Sequence, residues 1–558
     1  MKRLKFLYVL VPLIALVMTA CGLLGTPDRN APPRGAVVVD VWANTSLNTW
    51  LESAIREFNA SDDLNRSSTQ TAAEKPVFVR LVPVEAGQAV IDLAAGEPEP
   101  AIWIPDDLVW VDVLADNGRP GFQDDCVSVA QSPLVIAMWR PVAESLGWPG
   151  RPLGWLDVGS LAADPSAWAY YSGGQFGDSL RLGHTHPGLS GTGASTLLAI
   201  VQAAQSKTEA VSVTDIEQPI VQASVGAFEG AVSWFSSSTY ALGQTMRDRG
   251  LSFLGAAVMY ENLVIEHGAD DPNIIPIYPL EGTFMAAHPA CVNKAAGLES
   301  QEAALIFRNY LIGEAAQRLA LANGLRPVSA QVGLGSPLDE DHGTDVNQPQ
   351  VIFDPPTLDT IYAVQGLWQS ARKPVNMVML LDTSGSMKGD KLENLKSAAI
   401  QFIKFMGDED YITLIRFSST PVILIEHVQV GDSRDTVIQM IAGLRAEGNT
   451  TLYDAIGDGA DVIARTTSSR TTNALVVLTD GRDTASDRYR LNAKLIEAAA
   501  ANDTTVFAIA YGKDADDEAL SDLALRANGN FYLGDEASIA SIYEEMSAAF
   551  GGSVGIGR

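Results

Sequence analysis

Six short apolar runs, NMVMLL, YITLIRF, VILIEHV, ALVVLT, TVFAIAY and NFYL, follow one another between Val375 and Gly551, most of them separated by helix-patterned segments. This alternation constrains the fold more than any other feature of the chain. Short apolar strands joined through helices form a mostly parallel sheet covered on both faces. The segment from Lys391 supplies one cover: Leu392, Leu395, Ala399, Phe402 and Met406 follow a 3-4-3-4 spacing that buries a single helix face.

In such a sheet ligands bind beyond the carboxyl ends of the strands. Three loops with that placement carry oxygen ligands. Asp382-Thr383-Ser384-Gly385-Ser386 follows the first strand, Gly448-Asn449-Thr450-Thr451 precedes a helix starting near Leu452, and Thr479-Asp480-Gly481 follows ALVVL. Two carboxylates and several hydroxyls make an all-oxygen set of low charge. That set suits a hard cation that keeps some water, Mg²⁺ first and Mn²⁺ or Ca²⁺ next. Taken singly, Asp382, Ser384 or Ser386 reads equally well as a helix cap, and TDG as a turn. Asp454 and Asp458, four apart on the following helix, read as solvated or supporting groups rather than ligands. No nucleophile with its base stands beside the site, so the chain is not read as an enzyme.

The three pieces, D-x-S-x-S, G-x-T-x-L-x-D-A and L-T-D-G, in this order and spacing, resemble a von Willebrand factor type A domain over residues 374–551. The resemblance implies a doubly wound fold with a metal-ion-dependent adhesion site. Its ligand positions fall on Asp382, Ser384, Ser386, Thr450 and Asp480. The metal in that family leaves one coordination position for an acidic residue of a protein partner.

The first half, residues 36–327, has a different texture. VVVDVW, VFVRLVPV, AIWIP and SVAQSPLVIAMW read as strands, with helical patterns such as LNTWLESAIREFNA between many of them, again α/β. Asn44, Thr45 and Ser46 precede one helix, and Ser190-Gly191-Thr192-Gly193 precedes another from Ala194 to Ala204. These residues either cap their helices or form two facing helix N-termini able to hold an oxyanion or a hydroxylated ligand. VDVWANTSLNTWLESAIREFN, AAGEPEPAIWIPDDLVWVD, SPLVIAMWRPVAESLGWP, GHTHPGLSGTGASTLLAIVQAA and IPIYPLEGTFMAAHPACV resemble a bacterial extracellular solute-binding protein of the type II periplasmic-binding class. The resemblance implies a two-lobed, periplasmic-binding-protein-like domain that closes on a small-molecule solute. By position in the matching segments, Gln88, Asp106, Tyr260 and Glu261 are further contacts. Asp106 and Glu261 oppose a free anion, which leaves the ligand class open. His184 and His186, two apart, lack a nearby third metal ligand. Gly191-Thr192-Gly193 lacks the third glycine of a dinucleotide fingerprint.

Residues 1–21 read as a secretion signal: a basic start, an apolar stretch, then small residues before Cys21. Met18-Thr19-Ala20-Cys21 resembles a bacterial lipobox, with Met18 where leucine is commoner, which implies lipidation of Cys21 and anchorage to a membrane face. Residues 22–35 read as a tether, 328–373 as a linker carrying a short helix, and 552–558 as a tail. With Cys21 set aside, Cys126 and Cys291 either pair as a disulfide or stand as two buried thiols. The net charge of −29 repels a phosphate backbone and argues against nucleic acid. The expectation is an extracytoplasmic, lipid-anchored binding and recognition protein that engages a partner's carboxylate through its metal. The alternative is the solute-binding receptor of an ABC-type uptake system.

Overall fold

The computed structural model describes residues 31–61, 75–268, 273–536 and 538–549. The secretion signal, Cys21, most of the tether and the tail lie outside the described residues.

All six apolar runs of the second half form strands of one sheet. Their order is Pro421–Gln429, Tyr411–Phe417, Val375–Asp382, Thr472–Thr479, Thr505–Tyr511, Phe531–Gly534. Every neighbouring pair is parallel except the first, where Pro421–Gln429 returns as an antiparallel edge. The period-two geometry of a strand explains the two-sided core. Met377, Met379 and Leu381 pack on one face with Leu392, Leu395 and Phe402, while Val378 and Leu380 pack on the other with Leu452, Ile456 and Val462. Val375–Asp382 is buried at every position, so Asp382 closes a fully desolvated strand.

The first half holds two sheets, one per lobe. Lobe one orders its strands Val77–Pro83, Val37–Ala43, Ile102–Ile104, Pro289–Val292, Cys126–Ser128. Lobe two orders Met285–Ala286, Ser132–Trp139, Ala256–Tyr260, Leu182–Thr185, Val232–Ser236, with Ile274–Ile277 also paired to Ser132–Trp139. SVAQSPLVIAMW, which reads as one strand, is therefore split. Ser128 belongs to lobe one and Ser132 to lobe two, and the chain crosses between the lobes at residues 129–131. It crosses back between Ala286 and Pro289, and the two crossings are joined where Val129 N–H donates to the His288 carbonyl at 3.2 Å. Cys126 and Cys291 stand opposite each other on paired strands of lobe one and form a disulfide.

The segment 328–373 follows the molecule instead of spanning a gap. Ile352 bridges to Thr283, Phe353 is buried against Phe284, and Asp354 N–H donates to the Thr208 carbonyl at 2.9 Å. The helix Leu358–Ala371 then buries Ile361, Val364, Leu367 and Trp368. Thr357 caps it, its hydroxyl accepting from the Thr360 N–H. Thr357→Ala should cost about 1 kcal/mol in chemical denaturation, the usual worth of an N-cap oxygen; an unchanged midpoint would show that tertiary packing alone fixes this helix start. Arg372, at its end, is buried in a bidentate pair with Asp410 at 2.8 and 3.1 Å, and Asp410 also accepts the Val375 N–H at 2.9 Å. Lobe two rests on the C-terminal sheet as well. Trp234 stacks on Phe507 with centroids 5.9 Å apart, and Arg249 donates to the Gly529 carbonyl at 2.8 Å.

Candidate metal centre and interlobe cleft

The strand Val375–Asp382 ends at the C-terminal edge of its sheet, and its last side chain is fixed from two sides. Asp382 Oδ1 accepts the Ser384 N–H at 2.7 Å, and Asp382 Oδ2 accepts the Thr479 hydroxyl at 2.5 Å. Burial pushes the Asp382 carboxyl up from its ordinary value, and the nearby Asp480 charge adds to this. Ser384 Oγ lies 2.9 Å from Ser386 Oγ, and Ser386 donates to Asp480 Oδ1 at 2.7 Å. Gly481 sits between loops: a Cβ there would stand 3.7 Å from Thr450 Oγ1 and 3.8 Å from Ser386 Oγ. The five residues of the three loops thus converge at one sheet edge. Lys391, on the next helix, donates to Asp480 Oδ2 at 2.5 Å, a cation in contact with that carboxylate. Among the described residues no three His, Cys, Asp or Glu side chains group closely enough to hold a metal on their own. A cation here would lean on serine and threonine hydroxyls as well as two carboxylates, a hard-oxygen donor set that fits Mg²⁺.

Asp454 and Asp458 hold the neighbouring loop. Asp454 is buried and accepts the N–H groups of Asp487, Arg488 and Tyr489 at 3.2, 3.1 and 2.9 Å, and Asp458 takes Arg488 bidentately at 2.6 and 2.7 Å.

In the first half, the cleft is built around a residue outside the expected set, Glu85. Its carboxylate lies between the lobes, 3 % exposed. Oε1 accepts the Thr45 hydroxyl and the Thr239 N–H (the latter at 2.7 Å), and Oε2 accepts Ser190 Oγ at 2.8 Å and Asn44 Nδ2 at 3.2 Å. Thr192 and Thr239 hydroxyls are 2.9 Å apart beside it. Asp106 sits next in the cleft, where Tyr260 OH donates to its Oδ2 at 2.9 Å. A Cβ on Gly191 would fall 2.0 Å from that same oxygen, so glycine is what lets the carboxyl reach the start of the helix Gly191–Gln205. Burial and the Glu85 carboxylate push the Asp106 carboxyl up to about 7. Burial holds the His288 imidazole in the returning crossing neutral, pushed down to about 3.

Residues 39–326, just over half of the chain, match the family model for bacterial extracellular solute-binding proteins. The chain belongs to this family. Residues 376–545 match the von Willebrand factor type A domain. An uncharacterized protein of Synechocystis is 31% identical over 159 residues, covering 28% of this chain and 37% of that protein. The inter-alpha-trypsin inhibitor heavy chain H3 of Rattus norvegicus is 24% identical over 187 residues, covering 31% of this chain and 21% of its own length. The chain thus spans well under half of these curated relatives. Among solved structures, the periplasmic binding protein AfuA of Actinobacillus pleuropneumoniae aligns at TM-score 0.42 and 14% identity, over 61% of this chain and 98% of that one.

Within the solute-binding module, the expected contacts separate into two groups. Asn44, Thr45, Ser190, Thr192, Asp106 and Tyr260 meet in the cleft around Glu85. Ser46 is buried beside them, and its carbonyl accepts Asn262 Nδ2 at 2.8 Å. Gln88 and Glu261 are engaged elsewhere. The Gln88 amide donates to Asp92 Oδ1 at 2.7 Å. Glu261 is held bidentately by Arg326, both contacts at 2.8 Å, and by the Tyr278 hydroxyl. His184 is fully buried against Glu229 at 2.9 Å, and the His186 ring accepts the Gly188 N–H at 3.0 Å. Glu85 and Lys391 were missed from sequence. A carboxylate or ammonium on the first turn after a loop is common, and only the folded chain shows which one faces a cluster of donors.

Proposed function

We propose that this chain is a surface-anchored binding and recognition protein, not a catalyst. Its von Willebrand factor type A domain would engage a partner through a divalent cation. Asp382, Ser384, Ser386, Thr450 and Asp480 would hold the ion, Mg²⁺ in the first place, with Mn²⁺ or Ca²⁺ as substitutes. The bound cation would supply an electrophilic position for a carboxylate of the partner. The observation that carries this reading is the convergence of Ser384, Ser386 and Asp480 oxygens within hydrogen-bond distance at the strand ends. The protein's own residues fix the donors: Thr479 and the Ser384 N–H orient Asp382, and Ser386 orients Asp480. Lys391 donates to Asp480 and would give way or share it as the ion enters.

The two-lobed module would present this domain or bind a solute of its own. An extracytoplasmic location tethered through lipidated Cys21 completes the reading; among the described residues no helix is long and apolar enough to cross a membrane. The test is capture of acidic peptides by the immobilised full chain, with Mg²⁺ and then with a chelator. Capture should be lost with the chelator and in Asp480→Ala. Equal capture by wild type and Asp480→Ala would sink the reading.

A further inference from the structure

We propose that Glu85 is a built-in occupant of the interlobe seat, so that the solute-binding module is held closed by its own carboxylate and takes no free oxyanion. This rests on the reading of residues 36–327 as a two-lobed binding module, and deepens it.

A carboxylate has about four lone-pair positions. Glu85 uses all four, and the donors come equally from both lobes. Asn44 and the Thr45 hydroxyl belong to lobe one; Ser190 and the Thr239 N–H belong to lobe two. Two of these donors stand at helix N-termini, Ser190 as the N-cap of Gly191–Gln205 and Thr239 as the first residue of Thr239–Arg249. Free N–H groups and the positive end of the helix dipole favour an anion there. A solute oxyanion entering the cleft would need those same donors. It would also meet two buried carboxyl groups, Glu85 and Asp106. Displacing Glu85 means moving a side chain that leaves from the first turn after the strand Val77–Pro83, already the N-cap of the helix Ala86–Ala95.

Further contacts seal the lobes around it. Tyr260 OH reaches Asp106 at 2.9 Å, Asn262 Nδ2 reaches the Ser46 carbonyl at 2.8 Å, Ser238 Oγ reaches Thr45 Oγ1 at 3.1 Å, and the Gln88 N–H reaches the Leu189 carbonyl at 2.9 Å. Glu85 is the member of this set that bonds two groups on each lobe, which makes it the latch.

The experiment is a titration of the full chain with sodium acetate, sulfate and phosphate at constant ionic strength, read by thermal melting and calorimetry, on wild type, Glu85→Ala and Glu85→Gln. Wild type should show no saturable response to any of the three anions. Glu85→Ala, which removes the carboxylate and leaves its donors, should gain saturable acetate binding at least tenfold tighter than wild type. Glu85→Gln, which keeps the side-chain volume, should gain none. Saturable oxyanion binding by wild type overturns the latch while leaving the module a binding domain. A folded Glu85→Ala that ignores acetate also overturns it. If Glu85→Ala does not fold, the same titration on Glu85→Ser decides: saturable acetate binding supports the latch, and its absence overturns it. None of these outcomes touches the metal reading of the other domain, whose failure would appear only in the cation-dependent capture.

Discussion

Trp368→Ala should destabilise the chain by about 3–5 kcal/mol, the cost of deleting a buried aromatic side chain. Trp368 lies on the helix that leads from the solute-binding module into the von Willebrand factor type A domain, and it is 1 % exposed. Its ring meets His186 edge-on at 4.5 Å and Phe235 at 5.7 Å. Its indole N–H donates to Glu229 Oε2 at 3.0 Å, and the other Glu229 oxygen meets His184 at 2.9 Å. The alanine variant therefore opens a cavity and also strips a donor from a buried carboxylate, which adds to the loss. Trp368→Phe separates the two terms. It keeps most of the ring and should cost only about 1–3 kcal/mol, the worth of the lost donor to a buried group. Both are read from denaturant unfolding of the full chain. Equal effects of Phe and Ala would mean that ring packing contributes little here.

Asp106→Asn should change the pH dependence of stability more than its level at any one pH. The Asp106 carboxyl, up at about 7 when folded, returns to about 3.9 when the chain unfolds. Between these values the folded state holds a proton that the unfolded state has released. Asp106 therefore lowers stability as pH rises through this window, and the full penalty stands above about 7. Asparagine keeps an oxygen for the Tyr260 hydroxyl and carries no proton to lose. The stability difference between Asp106→Asn and wild type should shift toward the variant by about 4 kcal/mol from pH 4 to pH 8. His288 acts in the opposite sense. Its folded value of about 3 lies below the ordinary histidine value of about 6.5, so it costs stability as pH falls through that range. A wild-type-to-variant difference that is the same at every pH would show that Asp106 is ionised and solvated in the folded chain.

The second half of the fold was legible because each strand is a continuous apolar run ended by polar residues, and the cover helices keep a helical period. Even the antiparallel edge, VILIEHV, reads as a strand; only its direction needed the structure. The first half is legible as α/β and, through the resemblance, as two lobes, but not in where the chain passes from one to the other. SVAQSPLVIAMW has no glycine or proline at the crossing itself, so nothing local marks where one lobe hands the chain to the other. The segment 328–356 reads as a linker because it is polar and rich in turn residues. Among its apolar side chains, Val332, Leu338 and Phe353 are buried and hold it to the molecule. At the sites, D-x-S-x-S is visible because chemistry and strand register fall on consecutive residues. Glu85 is not visible, because its four partners come from Asn44, Thr45, Ser190 and Thr239, far apart in sequence. Gln88, three residues on, sits on the turn of helix that faces Asp92 instead.

In the proposed role, a divalent cation at Asp382, Ser384, Ser386, Thr450 and Asp480 receives a carboxylate from a partner. With a net charge of −29 the chain attracts cations over much of its surface, so a binding curve alone does not decide. The decisive measurement is Mn²⁺ titration of the full chain followed by water-proton relaxation, in wild type and Asp480→Ala, with Mg²⁺ as competitor and then with an acidic peptide added. The expected result is one saturable Mn²⁺ site in wild type, displaced by Mg²⁺ and at least tenfold weaker in Asp480→Ala, whose relaxation enhancement falls as the peptide carboxylate replaces water. Identical titrations for wild type and Asp480→Ala, or a saturated site that the peptide leaves unchanged, would contradict it.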